Sequence, residues 1–382
     1  MGVLTQQQLG EKRRELLKEV RRLVVKLGTR VVTVHDYELN LDLIEQLAMD
    51  VAHLNRQGVQ VAIVSSGAVG AGMGRLGLKA RPRRIPELQA TAAVGQGLLM
   101  NAYKLAFRRH GLVIGQVLLT SEDLDDRQRY VNARNTLEAL FRFGAVPIIN
   151  ENDSVAVEEI KVGDNDRISA LIAHLVDANL LVVMTDVDGL YSGNPAVYGS
   201  AELISQVEEI TPELIQKAGS AGSAVSLGGM RTKLRAAESV TRGGRMMMIV
   251  NGHTTRLPAL LAGQQTGTFF GPQSSRLPGR KLWLANSRRK GAVTVDAGAA
   301  EALSARGKSL LPSGIVAVIG DFDAGELIGV EDLDHHEIAR GLVRYGSEDI
   351  QKILGKKTSE IASILDGAAG EEVIHRDDMV VF

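Results

Sequence analysis

The 382-residue sequence predicts an α/β protein, an αβα sandwich on a mainly parallel β-sheet, followed by a small β-rich domain. The first part is predicted because short apolar runs alternate with stretches of helical periodicity. These runs are almost continuously apolar, as in parallel strands that are covered on both faces. The second part is predicted because the later segments are short and are separated by frequent turn residues.

The elements of the first domain follow a charged segment, residues 1–21, which predicts a helical N-terminal extension. Strands are predicted at 23–25, 59–64, 112–119, 145–149, 180–184 and 246–250. Helices are predicted at 43–54, 87–110, 132–142, 166–177 and after Gly229. Asn40 is a candidate cap, since an asparagine side chain accepts a hydrogen bond from a free N–H of the first helical turn.

The composition changes at residues 271–280, where proline, serine and glycine are typical of a linker. We therefore expect one domain over residues 22–270 and a second over residues 281–382. Strands of the second domain are predicted at 292–295, 314–319, 326–330, 338–343 and 372–375.

The composition excludes several classes of protein. Hydrophobic residues make up 45% and charged residues 23%, as in ordinary globular proteins. A formal net charge of -1 provides no global attraction to nucleic acid or to a membrane surface. The absence of cysteine excludes disulfides and thiolate metal sites, and it agrees with a cytoplasmic location. No apolar run approaches the ~20 residues of a membrane-spanning helix.

Polar or glycine-rich segments follow several predicted strands. They are residues 26–29, 65–68, 150–153 and 185–186. Ligands of open parallel sheets bind beyond the carboxyl ends of the strands, so these segments predict a binding site at one edge of the sheet.

The charges at this edge suggest two kinds of ligand group. Lys26 either extends its ammonium to water or binds a phosphate beside Gly28. Residues 65–67 open a predicted helix, and residues 228–233 repeat the pattern of glycine, helix start and lysine, so both segments suit an anion. The acidic stretch 150–166 suits a cation, either an ammonium group or a phosphate-bound Mg²⁺.

Three familiar motifs are incomplete. Gly307-Lys308-Ser309 lacks the first glycine of a Walker A loop, since Ala302 occupies that position. Arg75 interrupts the glycine cluster that would otherwise predict a dinucleotide site. No histidine has a histidine partner four residues away, so no helical metal pair is indicated and direct metal ligands stay unassigned.

Longer motifs extend from residue 22 to the end of the chain. They include VVKLGT at 24–29, VSSGAVGAG at 64–72, INENDSVAVEEIKVGDND at 149–166, GGMRTKL at 228–234 and the C-terminal ARGLVRY and HRDDM. In these motifs the sequence resembles the glutamate 5-kinases of the amino acid kinase superfamily, which carry a C-terminal PUA domain. It departs from the family's usual G-T-G-G-M at Ser226-Leu227, which replace the first glycine and the threonine of the nucleotide loop.

The resemblance implies transfer of phosphate from ATP, with Mg²⁺, to the γ-carboxylate of L-glutamate, the first step of proline biosynthesis. It implies that Lys26 and Lys233 neutralise the transferred phosphoryl group and that Asp166 orients them. The implied glutamate-binding residues are Ser66, Gly67, Asn150, Asp153, Asp164 and Asn165. The implied ATP-binding residues are Lys26, Thr185, Asp186, Leu227, Gly228, Gly229, Met230, Arg231, Thr232 and Lys233.

The resemblance also implies a homo-oligomer, feedback binding of proline at or near the glutamate site, and transfer of the product to glutamyl phosphate reductase. Two alternatives stay open. One is a sister kinase that acts on aspartate, acetylglutamate or carbamate. The other is RNA binding by the second domain, which its charge disfavours, since residues 276–382 contain 14 Lys and Arg against 17 Asp and Glu.

Overall fold

The computed structural model describes residues 6–155, 164–193, 201–220, 224–273, 279–365 and 372–382. The chain divides into two compact units, Met1–Arg276 and Leu277–Phe382. Among the described helices, none combines the length and the apolar character needed to cross a bilayer.

An eight-stranded sheet forms the centre of the first unit, in the order β3-β4-β2-β1-β5-β7-β8-β6. Its strands are β1 Arg22–Leu27, β2 Gln60–Ser65, β3 Ile114–Leu119, β4 Val146–Glu151, β5 Leu180–Thr185, β6 Gln206–Val207, β7 Met246–Asn251 and β8 Thr268–Phe270. The pairs from β3 to β7 are parallel, whereas β8 runs antiparallel to β7. The expectation of a mainly parallel sheet is confirmed.

Helices cover both faces of this sheet. They are α1 Gln6–Lys18, α2 Thr29–Val32, α3 Leu41–Arg56, α4 Ala68–Leu76, α5 Ile85–Arg109, α6 Ser121–Asp125, α7 Arg127–Arg142, α8 Asp164–Leu175, α9 Pro212–Ser220, α10 Ala224–Arg242 and α11 Leu257–Leu261. The Asn40 side chain caps α3 as predicted, because its oxygen accepts from the Leu43 N–H.

Alternate residues of each central strand belong to different cores. Leu23 and Val25 of β1 pack in a cluster with buried residues of α3 and α5. Val24, between them, packs in a second cluster with residues of α7, α8 and α10. This alternation follows from the two-residue period of a strand. Lys26 lies two residues after Val24, so its side chain is directed to the face that α8 and α10 cover.

The second unit contains a five-stranded sheet in the order β10-β9-β11-β12-β13. Its elements are α12 Gly279–Asn286, β9 Gly291–Val295, α13 Ala297–Ser304, β10 Ile315–Ile319, β11 Leu327–Glu331, β12 Glu337–Leu342, α14 Ser347–Ile353, α15 Thr358–Ile364 and β13 Met379–Val381. Its core is separate from the two cores of the first unit.

Two sequence predictions are wrong in position. The helix expected after Gly229 begins at Ala224, so Gly228 and Gly229 lie inside it. An interior N–H bonds to the preceding turn, so these two residues do not provide the free donors of a helix start. The strand expected at 372–375 is reduced to one bridge between Leu310 and Ile374, and the last strand is β13.

Candidate active site

Lys26 and Asp166 form a buried ion pair at the carboxyl end of β1. Lys26 is the penultimate residue of β1, and Asp166 is in the first turn of α8. The Lys26 Nζ lies 2.7 Å from Oδ1 of Asp166, and the two residues are 5% and 1% exposed. The interpretation of Lys26 as a lysine that extends to water is therefore excluded. A carboxylate in the first turn of a helix is also favoured by the helix dipole.

The other oxygen of Asp166 contacts α10. The Lys233 Nζ lies 3.3 Å from Oδ2 of Asp166, and it also donates to the Gly229 carbonyl at 3.1 Å. The Thr232 hydroxyl donates to Oδ2 of Asp166 at 2.6 Å. One buried carboxylate thus holds two ammonium groups, which come from β1 and from α10.

The pKa values of this cluster follow from burial and charge. Burial favours the protonated form of Asp166, but Lys26 and Lys233 outweigh it and hold the pKa of the carboxyl below its usual value. The pKa of Lys233 is lowered, chiefly by burial and also by the charge of Lys26, while Asp166 and Asp186 oppose the shift. Asp166 therefore carries a charge at neutral pH, between the amino groups of the two lysines.

A second cluster of uncharged side chains adjoins the first through Asn165, which precedes Asp166. Nδ2 of Asn165 donates to Oγ of Ser66 at 2.9 Å and lies 3.4 Å from Oδ1 of Asn150. Nδ2 of Asn150 donates to Oε1 of Gln96 at 2.8 Å. The cluster brings together the ends of β2 and β4, the start of α8 and the middle of α5.

The turn at Ser66-Gly67 is fixed by its backbone conformation and by hydrogen bonds of buried side chains. Gly67 precedes α4 with φ 108°, a conformation that favours glycine over residues with a side chain. The Ser65 hydroxyl donates to the Ser66 carbonyl at 2.9 Å and lies 2.8 Å from the Tyr103 hydroxyl. Tyr103 is fully buried, and burial raises its pKa above the usual value, so its hydroxyl stays protonated.

Close packing of α4 on α5 fixes the position of Gln96. A Cβ added at Gly95 would lie 1.8 Å from the Ala68 carbonyl oxygen, and one at Gly72 would lie 1.9 Å from the Thr91 carbonyl oxygen. Only glycine permits this approach of the two backbones. Gln96, which follows Gly95, is therefore anchored next to the start of α4.

Thr185 and Asp186 follow β5 on the same edge of the sheet. The Thr185 hydroxyl donates to Oδ1 of Asp186 at 3.1 Å, and Nη1 of Arg30 lies 2.9 Å from Oδ2 of Asp186. Strand β5 pairs with β1 beside Lys26, with Lys26 opposite Val183 and Leu27 opposite Met184, so this segment lies next to the strand end that carries Lys26.

The structure brings together most of the residues that the sequence singled out. Lys26, Asp166, Lys233 and Thr232 form one cluster, and Ser66, Asn150 and Asn165 form the adjoining one. Asp153 is half-buried in the turn after β4. Met230 is half-buried and Arg231 exposed on α10. The side chains of Asp164 and Leu227, the surroundings of Gly228 and all of residues 156–163 lie outside the described part of the chain.

Sequence reasoning missed Gln96, Tyr103 and Arg30 as members of this region. The segment AAVGQ at 92–96 contained the signal for Gln96, because a polar residue directly after a glycine on a long helix is a candidate for close packing beside a site. Tyr103 gave no such signal, since its spacing on α5 is that of an ordinary core residue.

Among the described residues, the acidic and histidine side chains that come close enough together to hold a metal ion are Asp332, Asp334 and His336, in the second unit. At the edge of the first sheet, Asp166 has its oxygens occupied by Lys26, Lys233 and Thr232. The described residues therefore fit a metal ion that arrives on phosphate better than one held by protein ligands alone.

Comparison with known proteins agrees with this geometry. The amino acid kinase family matches residues 21–251, and the PUA domain matches residues 291–365. The glutamate 5-kinase of Moorella thermoacetica is 50% identical over 96% of this chain and 97% of its own length. That of Trichlorobacter lovleyi is 50% identical over 97% of this chain and 99% of its own length.

The chain is also similar to solved structures of other kinases, at low sequence identity. The UMP kinase of Bacillus anthracis covers 68% of this chain and 99% of its own, with 13% identity and a TM-score of 0.46, values too low to bear on function. The identity and coverage of the curated relatives are decisive. The chain belongs to the amino acid kinase family and, within it, to the family of the glutamate 5-kinases that carry a PUA domain.

Proposed function

We propose that this protein transfers the γ-phosphoryl group of ATP to the γ-carboxylate of L-glutamate, giving L-glutamyl 5-phosphate for proline biosynthesis. The observation that carries the proposal is the placement of Lys26 and Lys233 on opposite oxygens of the buried Asp166. The choice of reaction and substrate is supported by two glutamate 5-kinases that are 50% identical to this protein over nearly the whole chain.

The proposed catalysis consists of positioning and charge stabilisation. A carboxylate is already ionised at neutral pH, so the attacking oxygen of glutamate needs no general base. Negative charge spreads over the oxygens of the phosphoryl group as it moves between donor and acceptor. The two ammonium groups, held in place before the reaction by Asp166, would stabilise that charge with little reorganisation.

We propose that the uncharged cluster binds the amino acid. Ser66, the Gly67 backbone, Asn150 and Asn165 offer hydrogen bonds at the edge of the sheet, next to the lysines. Asp153, in the turn after β4, would attract the ammonium group. Asp164 precedes Asn165 on α8 and is proposed to bind glutamate as well, on the family resemblance alone.

We propose that ATP lies over the ends of β5 and α10, beside Thr185, Asp186 and residues 227–233. Because α10 already begins at Ala224, its glycines would contribute a close backbone surface rather than free N–H groups. Mg²⁺, bound to the phosphates, would neutralise charge on the leaving ADP.

The test is a coupled assay of ADP release with four acceptors: glutamate, aspartate, acetylglutamate and carbamate. The product with glutamate should also be trapped by hydroxylamine, because an acyl phosphate yields a hydroxamate and an alkyl phosphate does not. We expect glutamate to give the highest kcat/KM by a wide margin. A higher value with another acceptor would replace the proposal by that sister activity.

We propose four further properties from the family resemblance alone. They are a cytoplasmic location, a homo-oligomer, feedback by proline and transfer of product to glutamyl phosphate reductase. Feedback at the glutamate site is supported by the presence of amide and carboxylate groups that would bind any α-amino acid. It is tested by competition between proline and glutamate in the same assay.

A further inference from the structure

The uncharged cluster contains two buried atoms without a hydrogen-bond partner among the described residues, Nε2 of Gln96 and Oδ1 of Asn165. Both amides contact the side chain of Asn150. Because the two ends of a carboxamide share one carbon, each unpaired atom lies next to an atom that contacts Asn150. A buried polar atom without a partner costs free energy, so such a pair of atoms at a site points to a ligand.

The hydrogen bonds fix which atom is the donor and which is the acceptor. The backbone N–H of Glu151 can only donate, and it donates to Oδ1 of Asn150 at 2.9 Å. Nδ2 of Asn150 must then face Gln96, whose Oε1 accepts from it at 2.8 Å. The unpaired end of Gln96 is therefore an N–H donor, and by the same reasoning the unpaired end of Asn165 is an oxygen acceptor.

A donor on Gln96 and an acceptor on Asn165, both beside Asn150, suit the two charged groups of an α-amino acid. The amide N–H suits the α-carboxylate, and the amide oxygen suits the ammonium group. Hydrogen bonds join Gln96 to Asn150 and Asn150 to Asn165, and Asn165 precedes Asp166 in the sequence. Two other amides therefore separate Gln96 from the carboxylate that holds the lysines. In glutamate, the α-carboxylate and the ammonium group are both on Cα, at the end of the molecule opposite the reacting γ-carboxylate.

We propose that Gln96 is a specificity-determining residue, which donates a hydrogen bond to the α-carboxylate of the amino acid substrate while its oxygen orients Asn150. This assignment rests on the proposed function. The close approach of α4 and α5 at Gly95 gives Gln96 a fixed position, as a specificity contact requires.

The test compares glutamate with 4-aminobutyrate, which is glutamate without the α-carboxylate. In the variant Gln96→Glu, an oxygen still accepts from Asn150, but a carboxylate oxygen replaces the N–H donor. We expect the KM for glutamate to rise by about tenfold or more, because a repulsion replaces a charge-assisted hydrogen bond. The inhibition constant of 4-aminobutyrate and the KM for ATP should change by less than about threefold.

Asn101→Asp is the matched control, because Asn101 is an exposed residue of the same helix and the substitution adds the same charge. It should leave all three constants near wild type. An equal rise for glutamate and 4-aminobutyrate in Gln96→Glu would limit Gln96 to a structural role on Asn150 and overturn the proposal, as would no rise at all. If circular dichroism shows that Gln96→Glu does not fold, Gln96→Met decides by the same comparison.

Calorimetric titration of both amino acids separates this proposal from the proposed function, because it needs no turnover. Activity of the wild-type protein with glutamate tests the function alone. The ratio of the affinities for glutamate and for 4-aminobutyrate, compared between Gln96→Glu and wild type, tests the role of Gln96 alone.

Discussion

The ammonium group of Lys26 lies 2.7 Å from Oδ1 of Asp166, and both residues are almost completely buried. This pair connects the central strand to the helix that starts at the edge of the sheet, and the opposite oxygen of Asp166 receives Lys233. The stability of the fold and the proposed phosphoryl transfer both depend on this ion pair, so the two effects have to be measured separately.

Replacement of Asp166 by asparagine should destabilise the fold. The change keeps the shape of the side chain but leaves two buried ammonium groups without a counter-charge, which costs about 3 kcal/mol or more when a buried pair is broken. Urea denaturation measures the loss. Glu238→Gln is the control, because the Glu238–Arg242 pair on α10 is partly exposed and should contribute under about 1 kcal/mol. Equal losses in the two variants would contradict this account of the buried carboxylate.

Replacement of Asp153 by asparagine should weaken glutamate binding selectively. The substitution removes a negative charge that we place opposite the ammonium group, so the KM for glutamate should rise by on the order of tenfold while the KM for ATP stays nearly constant. Steady-state kinetics with each substrate varied in turn measures both values. A shift in the dependence on ATP and Mg²⁺ instead would assign Asp153 to the nucleotide side.

His174 should make the fold less stable in acid. Burial, helped by the charge of Arg245, lowers the pKa of His174 from 6.5 to about 3. Below pH 6.5 the unfolded chain binds a proton that the folded protein excludes, so stability is complete above that pH and falls as the pH drops towards 3. Between pH 7.5 and 5 this group alone should cost ~2 kcal/mol.

Urea denaturation at both pH values, for wild type and His174→Gln, isolates this effect. Glutamine keeps hydrogen-bonding groups for Ser239 and Arg245 but does not titrate. The variant should therefore lose less stability between the two pH values than wild type does. Identical losses would show that His174 is not held in its neutral form.

The first unit should fold and phosphorylate glutamate without the second. Each unit has its own core, and the described members of the candidate site belong to the first. A chain that ends at Arg276 keeps the hydrogen bond from the Gln273 N–H to the Thr241 carbonyl, which a chain that ends at the predicted boundary, residue 270, would lose.

The test is the kinase activity of this shortened protein at saturating glutamate. Circular dichroism and ATP binding show whether the shortened protein is folded. We expect kcat within about tenfold of the full chain, since every proposed contact to the reacting groups is retained. A folded protein that binds ATP but transfers no phosphate would show that the PUA domain contributes to the active site.

Much of the fold could be predicted because its strands are buried on both faces and its helices have strong periodicity. The strands β6 and β8 could not, since β6 has two residues and β8 has three, too few for a pattern. The start of α10 was misplaced because the glycines at 228 and 229 were interpreted as the turn before a helix, whereas the helix begins at Ala224 and includes both.

The candidate site was predictable where a residue type is unusual for its position. A lysine within an apolar strand and an acid-rich segment after another strand both stood out. Gln96 and Tyr103 did not, because their importance arises from contacts between α5 and residues more than 35 positions away in the sequence. Only the packed structure brings these groups together.

The kinetics of Lys26→Met and Lys233→Met test the central claim most directly, with Lys104→Met on the exposed face of α5 as the control. Methionine keeps most of the length of lysine and removes the charge. If the lysines stabilise the transferred phosphoryl group, kcat should fall by about a hundredfold or more in each variant, with smaller changes in KM and none in the control. Near-normal kcat in both folded variants would contradict the account.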